Sequence, residues 1–443
     1  MVVQHVGDVG LACTLLHSGF GCPRIYSDPI CILSVTLQRY VFQVELTSTL
    51  PYWLVKNGLP HVYPPIQDDQ TTDFVVVGAG VTGAMISQRL AEGGFSVVVV
   101  DRRDVCTGST SASTALLQYE IDVSLVKLGQ LIGERNAQMA YALSNQSIDR
   151  LSTLINRLAI ECDFQKKTSI YLASDRKSAK LLANEARARL QMKLNVEYHN
   201  QSELKDNFNL DGVSALSTSQ AASCDPYLLS HGLLAHAVTK GAKVFDRTDV
   251  IKYKCNDDSV ILTTDRGPRI LARKAIVATG YESQSMLKER IVNLDNTYAL
   301  VSQPITDLGS WKSNWMMWEA KEPYLYLRIT GDNRLIAGGE DESFHSPLRR
   351  QANVAAKAEI IESKVRKLLP SVRWETEFAW SGTFGSTKDG LAYIGPSGEY
   401  PSCLFALGFG GNGTTFSCIA TDIIWDMARD VNSEAASLFR FSR

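Results

Sequence analysis

The spacing of apolar residues changes along the chain, and each spacing predicts a different element. Residues 164–174 alternate apolar and polar positions, which predicts a strand, and residues 176–191 have the spacing of a helix. Residues 124–160 place apolar groups three or four positions apart and predict a helix in two or more pieces. The stretch 225–245 predicts a helix that ends at Gly241 and leads into a strand.

The second half of the chain predicts mainly strands. Residues 249–280 indicate a small antiparallel group followed by a buried strand at 275–278, and residues 297–340 indicate consecutive strands of a second sheet. A closing helix is expected from Thr414 to about Met427. Residues 46–70, which contain several prolines and aromatic side chains, predict an extended arm. Helices and strands mixed in this way indicate an α/β protein.

Composition and charge are ordinary for a globular protein. Of the 443 residues, 45% are apolar and 21% are charged, and 45 Lys and Arg against 47 Asp and Glu leave a net charge of −2. This balance does not indicate a nucleic-acid partner. No apolar run reaches the ~20 residues that a membrane-spanning helix needs, and the N-terminus lacks the basic region of a signal peptide. We therefore expect a cytoplasmic protein without a membrane span.

The cysteines and histidines do not indicate a metal site. Nine cysteines and seven histidines are scattered along the chain without CxxC pairs or metal-ligand spacing. We therefore expect reduced, mostly buried thiols and no bound metal. Residues 1–45 hold three of the cysteines and lack helical periodicity and hairpin signals, so they are predicted to be an appendage outside the fold.

The strongest local pattern is TTDFVVVGAGVTGAMISQRLAEGGFSVVVVDRRD at residues 71–104. A strand leads into the glycine turn of residues 78–83, a helix follows, and a second strand ends at Asp101. In such a unit Gly78 permits the tight turn, Gly80 lets the backbone approach a pyrophosphate, and Gly83 allows the helix to pack on the sheet. The helix N-terminus attracts the anion, and the carboxylate of Asp101 accepts ribose hydroxyls. NAD and FAD share this pattern.

Four further segments follow the nucleotide motif and complete a set that occurs in a fixed order along the chain. They are GSTSASTALLQ (108–118), KAIVATG (274–280), WSGTFGSTKDGLAYIG (380–395) and LFALGFGGNGTTFSCIATDIIWDM (404–427). Together with the motif, they resemble the glycine oxidase and D-amino-acid oxidase (DAO) superfamily of FAD-dependent oxidoreductases. The resemblance extends from about residue 72 to 430.

The resemblance implies a GR2-type, Rossmann-like FAD-binding domain built from separate segments. These segments would be 71–160, 223–295 and 378–430. A second, substrate domain would comprise 161–222 and 296–377, with an antiparallel sheet flanked by helices. The cofactor would be FAD. Sarcosine oxidases attach flavin through a cysteine where this chain has Gly382, so noncovalent binding is expected.

The resemblance also assigns cofactor contacts to residues of this chain. The pyrophosphate and the adenosine ribose would contact the glycine turn and Asp101, and Arg102 would lie beside the adenosine. A helix starting near Thr414 would direct its positive end at charge on reduced flavin. The full set is Gly78, Gly80, Val81, Thr82, Gly83, Asp101, Arg102, Ser109, Ser111, Ala112, Ser113, Thr114, Val250, Ala278, Thr279, Gly280, Gly410, Gly411, Asn412, Gly413 and Thr414.

Substrate contacts are expected from the stretch YLYLRITGDNRLIAGG (324–339). Arg328 is the candidate for holding a substrate carboxylate, because a guanidinium grips one through two parallel hydrogen bonds. The alternative is that Arg328 pairs with an acid on an exposed sheet face. Tyr326 would line the same pocket. Further aromatic residues are candidates for its walls, although aromatics in sheets often belong to cores: Tyr298, Trp315, Trp318 and Tyr324.

These features predict an enzyme that oxidises the C–N bond of an amino acid or related amine by hydride transfer to flavin N5. The flavin carries the chemistry, so no catalytic side chain is assigned. Oxygen or another acceptor would reoxidise it. Phe384 stands where many glycine oxidases have an arginine, which weakens the case for a simple amino acid. The alternatives are a noncatalytic or partner-dependent flavoprotein and an NAD-dependent dehydrogenase.

Overall fold

A computed structural model describes residues 47–443, and the appendage predicted at 1–45 lies outside these described residues. The strands are β1 (Thr47–Ser48), β2 (Gln70–Val77), β3 (Val97–Val100), β4 (Leu116–Gln118), β5 (Gln165–Ala173), β6 (Glu197–Asn200), β7 (Ser214–Ser223), β8 (Lys243–Phe245), β9 (Val250–Cys255), β10 (Val260–Thr264), β11 (Arg269–Val277), β12 (Asn293–Ser302), β13 (Trp315–Glu319), β14 (Leu325–Ile329), β15 (Leu335–Ser343), β16 (Thr376–Ser386), β17 (Tyr393–Pro396) and β18 (Cys403–Leu407).

Helices connect and cover these strands. They are α1 (Tyr52–Asn57), α2 (Val81–Glu92), α3 (Ser109–Ala112), α4 (Leu125–Ile132), α5 (Glu134–Leu158), α6 (Arg176–Gln191), α7 (Gln201–Phe208), α8 (Pro226–Thr239), α9 (Pro347–Leu368), α10 (Gly413–Ala428) and α11 (Glu434–Leu438), with a 3₁₀ helix at Gly280–Met286. The structure confirms the predicted helix at 176–191, the two-piece helix within 124–160 and the closing helix.

The first sheet has eight strands and a parallel centre. Its order is β17-β18-β11-β2-β3-β8, with β10 and β9 attached to β11 as an antiparallel extension. The strands β18, β11, β2, β3 and β8 run parallel. All of β3 and β18 and the carboxyl-terminal parts of β2 and β11 are apolar and buried. Their carboxyl ends form one edge, where the glycine turn leaves β2. This is the Rossmann-like arrangement that the sequence predicts.

The second sheet has ten strands in the order β1-β16-β12-β15-β14-β13-β5-β7-β4, with β6 beside β7. It is antiparallel except for β13 and β5, which run parallel. The expected antiparallel sheet is therefore present, with one parallel pair where β5 joins it from an earlier part of the chain. Helix α9 covers one face, and both sheets belong to one compact unit. Strand β16 lies in this sheet, although its residues fall mostly within the predicted FAD segment 378–430; the division into domains stays a prediction.

The predicted extended arm contains a short helix, α1. Tyr52 and Trp53 are buried, and the Trp53 indole donates to the carbonyl of Ser113 at 2.7 Å. Aromatic burial against the rest of the protein therefore stabilises a helix that is too short to form alone. No helix within residues 47–443 has the length and apolar character needed to cross a bilayer.

Candidate flavin and substrate site

The turn between β2 and α2 has the geometry of an anion-binding loop. Gly78 has φ +102°, and a Cβ there would lie 2.5 Å from the carbonyl oxygen of Ala278. A Cβ on Gly83 would lie 1.8 Å from the carbonyl oxygen of Gly78, so the helix can pack this closely only with glycine. Helix α2 begins after Gly80 without a side-chain cap, which leaves N–H groups of its first turn directed at the turn.

A hydroxyl that the sequence assignment left out lies in this turn. Thr110 Oγ1 accepts a hydrogen bond from the Val81 backbone N–H at 2.9 Å, and a Cβ on Gly80 would lie 2.9 Å from the same atom. The neighbouring Ser109 Oγ is buried without a partner among the described residues. Helix α3 therefore brings hydroxyls from outside the glycine motif to the glycine turn. The signal was present in GSTSAST, but the spacing does not tell which hydroxyl faces α2.

Asp101 lies one residue beyond the end of β3, at the edge of the sheet. Its Oδ2 accepts from the Ala79 N–H at 2.7 Å and its Oδ1 from the Arg103 N–H at 2.9 Å. Burial raises the pKa of this carboxyl to about 6 in spite of these hydrogen bonds. Arg102 and Arg103 both pair with Glu282 on the 3₁₀ helix that follows Gly280. This ion pair ties the two sides of the predicted adenosine site together.

The other residues predicted to contact the adenosine side of the cofactor lie around the same edge of the parallel sheet. The Ala278 N–H donates to the carbonyl of Val77 at 2.8 Å, so this backbone lies against the glycine turn. Gly280 has φ +58° and starts the 3₁₀ helix directly after Thr279. Val250 begins β9 and packs on the apolar cluster behind the parallel strands.

The second helix N-terminus belongs to α10. Its first residue, Gly413, has open space where a Cβ would be, and Asn412 before it does not cap the helix. Instead the Asn412 side chain donates to the carbonyl of Glu120 at 2.7 Å, and its Oδ1 is buried without a partner in residues 47–443. Helix α10 lies beside α2, because the hydroxyls of Thr82 and Ser417 are 2.7 Å apart. The N-termini of α2 and α10 therefore lie close to each other.

Asp122 lies in the segment that follows β4, and its carboxylate is hydrogen-bonded to the loop before α10. Its Oδ2 accepts from the Gly411 N–H at 2.8 Å, and a Cβ on Gly410 would lie 2.2 Å from that oxygen. Asp122 keeps accessible surface, although its carboxyl group lies within the protein. Burial raises the pKa of its carboxyl. The sequence did not single out Asp122.

Arg328 is fully buried and is held by the backbone. Its Nε donates to the carbonyl of Thr114 at 2.7 Å and its Nη2 to the carbonyl of Cys224 at 2.9 Å. Its guanidinium carbon also lies 5.6 Å from the Trp53 ring centroid. Through Thr114, these contacts connect the segment that follows α3 to strand β14. The assignment of Arg328 to a substrate carboxylate stays a prediction, to which these contacts add a positioning role.

Tyr326 and Arg328 lie on the same face of β14, and Tyr324 immediately precedes the strand. Tyr326 passes over Gly338, where a Cβ would lie 2.3 Å from the tyrosine hydroxyl, and its hydroxyl lies beside Thr114. The Tyr324 hydroxyl donates to Asp341, and the two tyrosine rings are 6.1 Å apart. The face therefore presents two phenols and a carboxylate.

Asp341 reaches this face because β15 is irregular. Gly339 and Glu340 have φ +137° and +57°, which interrupts the alternation of side chains along the strand. Glu340 consequently pairs with Lys357 and Lys364 on α9, on the other face. Burial, reinforced by the negative charge of Asp122, raises the pKa of Asp341 to about 6.

Two of the predicted aromatic walls lie elsewhere. Tyr298 and Trp315 belong to the core beneath α9, so their assignment to the pocket is wrong. The physical reason is the two-residue period of strands, which turns them away from the face of Tyr326. Trp318 lies opposite Tyr326 on the neighbouring strand and stacks on Tyr171 with ring centroids 3.5 Å apart.

A family model described as DAO, FAD dependent oxidoreductase, matches residues 73–427. The chain belongs to this family. Its cofactor is therefore FAD, for which noncovalent binding is typical, and the chain is a FAD-dependent oxidoreductase of amino acids or amines. The hypothesis of an NAD-dependent dehydrogenase is excluded by this membership. The residues present are suited to hold FAD. Neither Gly80 nor Asn412 caps its helix with a side chain, the Ser109 and Asn412 oxygens lack partners within residues 47–443, and there is open space at Gly413.

Individual relatives cover most of the chain. Glycine oxidase of Bacillus licheniformis is 23% identical over 84% of this chain and 97% of its own. The Bacillus subtilis (strain 168) protein YhfW, which bears the name of a Rieske 2Fe-2S iron-sulfur protein, is 23% identical over 88% of this chain and 75% of its own. Within residues 47–443 of this chain, no group of three or more His, Cys, Asp or Glu side chains could hold a metal ion.

The crystal structure of L-proline dehydrogenase from P. horikoshii shares the fold. Its TM-score is 0.71 at 18% identity, and the match covers 85% of this chain and 99% of that chain. The predicted fold class, a Rossmann-like FAD-binding unit with a second sheet, is confirmed by these matches.

Proposed function

We propose that the chain oxidises the C–N bond of a substrate whose reacting nitrogen arrives as a cation, in the space between α10 and the Tyr326 face of β14. The observation that carries this proposal is the pair of acids, Asp122 and Asp341, that face this space from different elements. Neither forms an ion pair with a basic side chain of residues 47–443, and the strongest influences on their carboxyl groups include no basic residue. Such a site attracts a protonated amine.

FAD, when bound, accepts the hydride that leaves the carbon next to the amine nitrogen. Before that transfer the ammonium group has to lose a proton, because the nitrogen lone pair forms the new C=N bond. We assign this proton to Asp341, whose buried Oδ1 makes no hydrogen bond of good geometry within residues 47–443, although the Thr297 hydroxyl is near the carboxyl group. With a pKa of about 6, its carboxylate is ionised at neutral pH and can accept the proton. Tyr324 holds the other oxygen, Oδ2.

The cofactor contacts that we propose follow the two helix N-termini. The pyrophosphate would lie at α2 and the hydroxyls of Ser109 and Thr110, with the adenosine ribose on Asp101. The flavin would extend toward α10 and Asp122, beneath Tyr326. The lateral contact between Thr82 and Ser417 keeps both helix ends in register for one dinucleotide. In this arrangement Arg328 positions Thr114, beside the flavin, through the carbonyl it holds.

An anaerobic reduction assay tests the proposal. The purified protein is mixed with alkylamines and diamines, N-alkyl amino acids or D-amino acids, and loss of the oxidised flavin absorbance is followed. We expect amines with a cationic nitrogen to bleach the flavin, and Asp341→Asn to slow this reduction at least about tenfold by removing the proton acceptor. Asp257→Asn, at an exposed acid of the β9–β10 turn, is the matched control. An equal rate of flavin reduction in Asp341→Asn and in the wild-type protein would contradict the proposal, and no bleaching by any class would support a noncatalytic flavoprotein. Electron acceptor and cytoplasmic location stay predictions.

A further inference from the structure

Two thiols meet on the eight-stranded sheet, away from the flavin site. Cys255 is the last residue of β9 and Cys403 the first residue of β18, and their Sγ atoms are 3.6 Å apart. These strands are not neighbours, since β10 and β11 stand between them in the sheet. The next residues also touch, because the Ser402 hydroxyl donates to the carbonyl of Asn256. The contact therefore joins the antiparallel extension directly to the parallel centre.

The two thiols differ in their access to solvent. Cys255 is partly exposed, whereas Cys403 is fully buried. Burial, followed by the proximity of Cys255, raises the pKa of the Cys403 thiol, and the charge of Lys274 opposes this only in part. A dissolved oxidant consequently reaches Cys255 first, because the thiolate of an accessible cysteine is the reactive form.

The position of β9 in the sheet allows the two sulfur atoms to come closer together. A disulfide has an S–S length of about 2.05 Å, so the sulfurs have to move together by about 1.5 Å. Strand β9 is at the edge of the sheet and pairs with β10 alone, and its last residue leads into an exposed turn at 256–258. Disulfide formation would therefore require rotation of the Cys255 side chain and a small shift of this edge.

We propose that Cys255 and Cys403 are a redox modification site that forms a reversible disulfide when it reacts with hydrogen peroxide. The Cys255 thiolate attacks one peroxide oxygen, the O–O bond breaks, and a sulfenic acid and hydroxide form; the hydroxide takes up a proton to become water. The Cys403 sulfur then attacks the Cys255 sulfur and loses its proton, and the sulfenic oxygen leaves as a second water. In balance, two thiols and one peroxide give one disulfide and two waters.

The site is independent of the proposed function, since the peroxide can come from outside the protein. Its structural effect would be to tether the end of β9 to the start of β18. Val250 at the other end of β9 is a predicted adenine neighbour, so the tether would act on the same small antiparallel group. Four other described cysteines, at 106, 162, 224 and 418, are buried and provide internal references.

Peptide mapping after peroxide treatment tests the proposal. Reduced full-length protein receives hydrogen peroxide, is quenched, denatured and alkylated, and is then digested without reductant. We expect a linked peptide pair that contains Cys255 and Cys403, alkylation of both residues to fall severalfold, and dithiothreitol to restore it. Cys418→Ser should still form the linked pair, whereas Cys403→Ser should lose it and accumulate sulfenic acid on Cys255, detectable with dimedone.

Several outcomes would overturn this inference. Full alkylation of Cys255 and Cys403 after peroxide would show that the pair does not react. Conversion of Cys255 to sulfinic acid while Cys403 stays alkylated would show that Cys403 does not complete the bond. The variants are read out on the folded protein by near-UV circular dichroism before peroxide is added, and a direct diamide oxidation of the wild-type protein gives a second measurement that needs no substitution.

Discussion

Replacing Arg328 separates a positioning role from a role in holding a substrate carboxylate. The guanidinium makes two hydrogen bonds of 2.7 and 2.9 Å to the carbonyls of Thr114 and Cys224 and is 0% exposed. In Arg328→Met the side-chain volume is largely kept, but both carbonyls lose their donor. If positioning is the main role, the substitution should weaken the folded protein and its hold on FAD, with the same effect on acidic and neutral substrates.

The expected loss of stability in Arg328→Met follows from these two hydrogen bonds. Leaving a buried polar group without a partner costs about 1–3 kcal/mol, so two carbonyls correspond to ~2–6 kcal/mol. Removing a buried cation without a carboxylate partner offsets part of this cost, since burial lowers the pKa of Arg328. We expect a net loss of ~2–3 kcal/mol in the free energy of unfolding. For a chain of this length that corresponds to a fall of ~2–4 °C in Tm.

Thermal unfolding followed by flavin fluorescence measures this change. Arg135→Met is the matched control, because its ion pair with Glu434 is exposed and should contribute less than about 1 kcal/mol. Steady-state kinetics of Arg328→Met with acidic and neutral amines then separate the two roles. An unchanged Tm together with a KM that rises for carboxylate substrates alone would refute the positioning role.

The other predictions concern the cofactor and the proton acceptor. Gly83→Ala places a Cβ 1.8 Å from the Gly78 oxygen, so the purified protein should lose most of its bound FAD; a yellow variant with normal flavin content would contradict this. Acid denaturation should release the flavin from the polypeptide, and colour that stays with the chain would disprove noncovalent binding. The Asp101 carboxylate, with a pKa of about 6 against an ordinary 3.8, accepts ribose hydroxyls best when ionised. FAD affinity should therefore be full above pH 6 and fall as the pH drops through 6, whereas Asp101→Asn should show a flat profile. Asp341 ionises in the same range, so flavin reduction by amines should slow below pH 6 in the wild-type protein but not in Asp341→Asn.

Local signals accounted for many of the elements, and the resemblance to the family accounted for the cofactor. The helical spacing of 176–191 and the apolar runs around the glycine turn depend on neighbours within one element, and the structure places helix α6 and strands β2 and β3 there. The family resemblance also located the N-terminus of α10, because the glycines before this helix form a local pattern. The short helix α1 was missed because Trp53 is stabilised by Ser113, far along the chain.

The nucleotide-binding strands, the glycine turn with Asp101 and many of the helices could be predicted from the sequence, because these depend on periodicity and on backbone conformations that glycine permits. Which side chains share the face of Tyr326 depends on the fold. The positive φ angles at Gly339 and Glu340 turn Asp341 rather than Glu340 toward Tyr324, and distant loops bury Arg328. Strand register, bulges and loop closure join residues hundreds of positions apart, and no local spacing encodes them.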